Sequence, residues 1–197
     1  MTGAEVVGYL RRFMETWLPR PPKGYRAYST AYDEIICASD LVRSLNDPEA
    51  AYNAFDRFCQ SMVLERSSLA TQALRIARKE PVTEDGAVAI SLLIDHSGSM
   101  KGANLQLAAM IAEGFESLAR ASACQFEILG FTTVDWHGAP VRKQWIAGRR
   151  PFSPGRLCAL RHIVYRAFGY NGPTPLHAMF APRAGSSQDE AYPAFVM

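Results

Sequence analysis

The sequence predicts an α/β fold: a sheet covered by helices, with a helical segment ahead of it. Three observations carry this reading. Val88–Ile94 is a short, almost wholly apolar run, the mark of a strand buried on both faces. Residues 104–120 then place Leu105, Ala108, Ala109, Ala112, Phe115 and Leu118 at helical spacing. Gln125–Thr132 returns to strand composition, so the order strand–helix–strand calls for a parallel pair with a helical crossover.

The chain has 197 residues, 48% of them hydrophobic and 20% charged, enough for one domain with a helical extension. Its formal net charge of +2 argues neither for nor against a nucleic-acid partner. Arg142, Lys143, Arg149, Arg150, Arg156, Arg161 and Arg166 nevertheless crowd one stretch, either as a solvated face or as a docking patch for an acidic partner. No apolar run is long enough to span a membrane, and Arg11, Arg12 and Glu15 interrupt any signal-peptide pattern, which together suggest a cytoplasmic protein. Cys37, Cys59, Cys124 and Cys158 lack zinc-ligand spacing and read as reduced, mostly buried thiols.

The remaining elements follow in order. Val6, Leu10, Phe13, Met14 and Trp17 predict a helix over 5–18, stopped by Pro19. Tyr25–Thr30 reads as a loop or edge strand. Residues 33–45 read as a helix, with Ile35, Ile36, Ala38 and Leu41 inward. Asp47-Pro48 is a helix start, an acidic N-cap followed by proline. The helix behind it runs to about Lys79 along Phe55, Phe58, Met62, Leu69, Ala73 and Ile76, with a break expected near Ser67-Ser68. Pro81 and Asp85-Gly86 mark a boundary, dividing a helical segment (1–84) from the α/β domain (85–197). Within that domain Gln144–Ile146 reads as a short edge strand and Gly155–Phe168 as a helix; Thr174-Pro175 starts another.

Chemistry concentrates at Asp95-His96-Ser97-Gly98-Ser99, directly after the first strand. In an open α/β sheet, ligands bind beyond the carboxyl ends of strands. One carboxylate and two hydroxyls on a tight turn offer hard oxygen ligands to Mg²⁺ or a similar divalent cation. A turn that only caps the next helix would use the same residues. His96 occupies a variable position, and His137, His162 and His177 are isolated. No nucleophile–base–acid arrangement and no P-loop is present, so a metal-assisted hydrolase has little support. Val88–Ile94 needs neighbours on both edges, but only Gln125–Thr132 is found; after Met179 no further apolar strand follows. That leaves an edge for a partner or a second copy to cover, or a chain that is incomplete.

The pattern D-x-S-x-S resembles the metal-ion-dependent adhesion site (MIDAS) of von Willebrand factor A (VWA) domains, whose Rossmann-like fold is a three-layer sheet. Such domains add a threonine from a G-x-T-P-L-like loop. Here Gly172-Pro173-Thr174-Pro175-Leu176 supplies Thr174, which also suits a helix N-cap. Their third loop, an aspartate followed by glycine, has no counterpart here. A second stretch is more specific: Phe126–Thr133, Trp136, Gly138, Trp145, Pro154-Gly155-Arg156-Leu157, Leu160-Arg161-His162-Ile163 and Tyr165. Together with Leu92–Met100 it resembles the VWA domain of CobT, a subunit of the aerobic, ATP-dependent cobaltochelatase. Tyr25–Glu34 is similar to the amino-terminal part of the same family.

The resemblance implies a non-catalytic adaptor with Asp95, Ser97, Ser99 and Thr174 as metal ligands. In that family CobT works with an AAA+ ATPase subunit, CobS, and the large subunit CobN to insert Co²⁺ into a corrin ring. No nucleic-acid or membrane partner is implied. CobT proteins are longer, with an extended acidic region where this chain has a short helical segment. A shortened, phage-encoded or degenerate relative is the corresponding expectation. A VWA adaptor for a MoxR-type AAA+ ATPase, unrelated to cobalamin, is the alternative.

Overall fold

The computed structural model describes residues 26–44, 47–79, 89–100, 102–122, 124–134 and 139–180. The helix expected over 5–18, the boundary at Pro81 to Gly86, Trp136, His137 and the residues after Phe180 lie outside that set. Four strands form one mixed sheet: β1 (Glu34–Cys37), β2 (Ala89–Asp95), β3 (Gln125–Thr133) and β4 (Leu160–Arg166). Their spatial order is β1-β4-β3-β2. β2 and β3 run parallel, joined by helix α4 (Ala103–Ala121), as the strand–helix–strand pattern requires. β4 is antiparallel to β3 and parallel to β1.

Strand alternation sorts the core into two faces. Ile94, Gly130, Ile163 and Ile36 lie in register across all four strands. They belong to the main core, where Leu105, Ala109 and Ala112 of α4, with Leu176 and Met179, cover the sheet. On the other face the row is Leu93, Leu129, Val164 and Cys37. Cys37 and Val164 are buried there, whereas Leu93 is 59% exposed. The reason is position: β2 pairs with β3 on one side, and among the described residues no strand pairs with its other side.

The structure corrects several expectations. Residues 33–45 are not one helix: β1 passes directly into α1 (Ala38–Arg43). Cys37 is still extended at φ −79°, ψ 138°, and no glycine or proline announces the change. Apolar residues at 35, 36, 38 and 41 therefore fit a helical period by accident. The segment 1–84 thus supplies a strand as well as helices, and the sheet draws on both sides of the expected boundary at 84/85. Gly155–Phe168 is likewise not a helix but a loop followed by β4. Leu157, Leu160, Ile163 and Val164 fit a helical stripe, yet Ile163, Val164 and Tyr165 are all buried, so the strand shows no alternation to read. Gln144–Ile146 lies inside helix α5 (Ala139–Ala147), with Pro140 in the first turn, where its missing N–H costs little.

Asp47 does cap α2 (Pro48–Ser61), accepting a hydrogen bond from the Ala50 N–H at 3.0 Å. The break after it falls at Met62 rather than at Ser67-Ser68; α3 (Val63–Lys79) runs through those serines, and Thr71 Oγ1 donates to the Ser67 carbonyl. Ile76, expected on the inner stripe, is exposed. Arg66 of α3 grips Glu113 of α4 with two guanidinium nitrogens, and Leu69 packs on Gly114.

The amino-terminal part is tied to the sheet by an ion pair. Asp33 accepts from Arg156 at 2.9 and 2.7 Å and from the Leu160 N–H at 2.8 Å. Tyr25–Thr30, expected as loop or edge strand, contributes an isolated bridge between Ala27 and Arg156. Gly155 makes that approach possible: a Cβ there would sit 2.1 Å from the Arg26 carbonyl oxygen.

Candidate metal centre

Asp95 ends β2, and the next residues turn sharply into a 3₁₀ turn (Gly98–Met100) before α4. Gly102, at φ 67° and ψ −125°, takes the backbone into that helix through a conformation only glycine adopts readily. The turn gathers three oxygen groups. Asp95 Oδ1 accepts from the Ser97 N–H at 2.7 Å, and Asp95 Oδ2 accepts from Ser97 Oγ at 3.0 Å. Ser97 Oγ in turn lies 3.1 Å from Ser99 Oγ. Asn104 Nδ2 donates to the Ser99 carbonyl, and the Met100 N–H to the Ser97 carbonyl, closing the loop on itself.

The donor set fits a small hard cation. Octahedral Mg²⁺ at about 2.0–2.1 Å from its ligands sets neighbouring oxygens about 2.9 Å apart. The 3.0 and 3.1 Å spacings of Asp95, Ser97 and Ser99 match adjacent corners of that figure. One carboxylate supplies the charge, and Ser99 is exposed, so the site opens to solvent. Among the described residues no group of three His, Cys, Asp or Glu side chains could hold a metal, so any ion held here depends on hydroxyls.

Thr174 stands outside this hydrogen-bonded set. Its Oγ1 is buried and bonds to none of the three. The chain just before it, at the Gly172 carbonyl, accepts from Arg166 and Arg120, at the end of the sheet away from Asp95. Pro175 leads into a 3₁₀ turn, Leu176–Phe180, instead of an α-helix.

Sequence reasoning passed over His96. It is wholly buried beneath the loop, stacked on Tyr165 with ring centroids 5.6 Å apart. Tyr165 Oη and His96 Nε2 are 3.2 Å apart. The His96 N–H donates to the Phe131 carbonyl and its own carbonyl accepts from Thr132 Oγ1, so both backbone groups are held by β3. Burial pulls the imidazole down to about 4, which the adjacent Asp95 charge only partly offsets. The neutral ring lies over Gly130; a Cβ at that position would be 2.6 Å from it. Tyr165 reaches the ring because it alternates along β4 onto the same core face as Ile163, which pairs with Gly130. The glycine between Leu129 and Phe131 was the available sequence signal, since a strand glycine marks a close approach.

Two other histidines sit apart from the loop. His162 lies on β4, lowered in pKa chiefly by burial, and His177 meets Tyr52 edge to face at 5.8 Å. Cys37 and Cys59 are buried, Cys124 and Cys158 half-buried, and none of the four is in a disulfide. No helix among the described residues is long and apolar enough to cross a membrane.

No solved structure matches this fold significantly. The family comparison is informative: residues 76–174, half of the chain, match the cobalamin biosynthesis protein CobT VWA domain. The match takes in Asp95, Ser97, Ser99, Gly130, Tyr165 and Thr174. A four-stranded mixed α/β sheet, an oxygen-bearing loop at the carboxyl end of β2 and this match agree, and the chain belongs to the CobT VWA-domain family.

Proposed function

We propose that this CobT-like chain is a non-catalytic, metal-dependent adaptor of a cobaltochelatase complex. In this reading Asp95, Ser97 and Ser99 hold Mg²⁺ or another divalent cation; Thr174, which bonds to none of them, would join the ion only after its loop moved. A bound ion would supply an open position for a carboxylate of a partner subunit. The partners are an AAA+ ATPase subunit of CobS type and a large chelatase subunit of CobN type, and the task is to couple the ATPase to Co²⁺ insertion into the corrin ring. The observation that supports it most is the gathering of the Asp95, Ser97 and Ser99 oxygens on one solvent-facing turn at the end of β2, at spacings compatible with adjacent octahedral corners.

The chain's own residues would do two things. Asp95 places a negative charge at the mouth of the loop, and His96, held neutral and buried, keeps that loop seated on β3 and β4.

The test is association with a CobS-type ATPase, measured by pull-down with Mg²⁺ and with chelator. The reading expects binding that needs the ion and is lost in Asp95→Ala. Binding that is indifferent to both contradicts it. Mg²⁺-dependent binding to a MoxR-type ATPase instead, with none to the CobS type, would assign the chain to the alternative adaptor class.

A further inference from the structure

Between Asp135 and Asp189 the sequence contains no aspartate or glutamate. Three of the arginines in that stretch find carboxylates in other segments: Arg156 pairs with Asp33, Arg161 with Glu34, and Arg166 approaches Glu116 at 3.7 Å. Arg142, Lys143, Arg149 and Arg150 have no acidic partner among the described residues, and all four are exposed. They lie on α5 and on the loop behind it.

That loop is held in a costly shape. Arg149, Arg150 and Ser153 have φ of 64°, 54° and 56°, the left-handed region that L-residues with a side chain seldom enter. The shape is fixed from α5: the Arg149 N–H donates to the Ile146 carbonyl, the Arg150 N–H to the Trp145 carbonyl, and Trp145 Nε1 to the Pro151 carbonyl. At its tip Phe152 is 101% exposed, the most exposed large hydrophobic residue described. Backbone strain held by so many bonds, with a bare aromatic at the apex, is the pattern of a pre-organised recognition loop.

A shallow cleft continues the surface along α5. It measures about 550 Å³ and lies between Tyr32 and the helix face of Pro140, Lys143, Gln144 and Ala147. Tyr32 is itself 43% exposed. Exposed cations with no acidic partner among the described residues and an open cleft beside Tyr32 share α5, and Phe152 tips the loop that follows it. α5 and its loop join the end of β3 to the start of β4, where Thr133 pairs with Leu160, so this surface is at the same end of the sheet as Asp95.

We propose that α5 and the loop Gly148–Gly155 dock an acidic polypeptide segment bearing apolar side chains. Its carboxylates meet Arg142, Lys143, Arg149 and Arg150, and its apolar groups meet Phe152 and the cleft beside Tyr32. Charge complementarity selects the partner, and the exposed aromatic favours a peptide with apolar residues over a purely polyanionic one. This docking does not require the metal, so it stands or falls apart from the site at Asp95.

The test uses the full chain, with chelator present to silence the metal loop. Fluorescence anisotropy at physiological ionic strength compares a labelled peptide of alternating glutamate and leucine, a glutamate-only peptide of equal charge, and a single-stranded oligonucleotide of equal charge. The expected order is mixed peptide tightest. Arg149→Glu with Arg150→Glu, and separately Phe152→Ala, should each weaken it about tenfold or more with an unchanged melting temperature, as anchors of a small interface do. No binding of the mixed peptide by the parent chain, affinity unchanged in either variant, or tighter binding of the oligonucleotide or the glutamate-only peptide overturns the proposal.

Discussion

Tyr165 and His96 form a stacked, hydrogen-bonded pair, 3.2 Å from Oη to Nε2, that joins β4 to the loop carrying Asp95. The pair occupies the space that Gly130 leaves on β3. The three residues come from three strands or strand ends, and each is needed for the others to fit. The oxygen-bearing turn of Asp95, Ser97 and Ser99 is therefore seated on an aromatic floor, and its position depends on residues outside that turn's oxygen set.

Gly130→Ala tests the floor directly. The added methyl would sit 2.6 Å from the His96 ring and 3.2 Å from Tyr165, with no exposed route for either to move. Overpacking of this kind costs about 1–3 kcal/mol. Denaturant titration should show that loss, together with weaker Mg²⁺ binding, because His96 shares its backbone with the ligand loop.

Acid should destabilise the protein in a defined window. The folded state holds His96 neutral down to about 4, whereas the unfolded chain protonates it near 6.5. Stability is thus complete above pH 6.5 and lost progressively as pH falls towards 4, by roughly 3 kcal/mol for this residue. His162 and His177, also lowered by burial, add to the same slope. In His96→Gln, unfolding free energies measured from pH 7 to pH 4 should fall less steeply than in the parent.

Glu127 has the opposite sign. It is buried on β3 facing β2, where Ser91 Oγ donates to Oε1 at 2.6 Å and Oε2 has no hydrogen-bond partner. Burial raises its carboxyl above the ordinary range, against the smaller effect of the serine. The folded state then favours the protonated form, so this group's contribution is greatest at low pH and is lost as pH rises through the raised value. Glu127→Gln should raise stability at pH 7, by on the order of 1 kcal/mol, and thermal melts at pH 7 and pH 4 should show the gain shrinking in acid.

Asp33→Ala removes the clasp between the amino-terminal part and β4. Arg156 is left largely buried with its bidentate partner gone, and the Leu160 N–H loses its acceptor. A cost of about 2–4 kcal/mol follows from stranding such a charge. Asp33→Asn, which keeps one acceptor, should recover part of it in chemical denaturation.

The turn that gathers Asp95, Ser97 and Ser99 was legible in the sequence because a short motif stands directly after an apolar strand. The β2–α4–β3 unit was legible for the same reason: period two, then period 3.6, over long segments. β4 was misread because Ile163, Val164 and Tyr165 are buried on both faces, and a run without alternation can be drawn as a helical stripe. β1 was misread because four residues are too few to establish a period before α1 begins. The floor under Asp95 escaped because it joins His96 and Tyr165, which are far apart in sequence; Gly130 hinted at a close approach but not at its partners. Arg156 and Asp33 are far apart in sequence, so their pairing had no local trace at all.

The most direct measurement of the central claim is calorimetric titration of Mg²⁺ into the full chain and into Asp95→Ala, with Ser97→Ala and Ser99→Ala alongside. The account predicts binding by the parent, none by Asp95→Ala and weaker binding by each serine variant. Equal affinity in the parent and Asp95→Ala, or no binding by the parent, would contradict it.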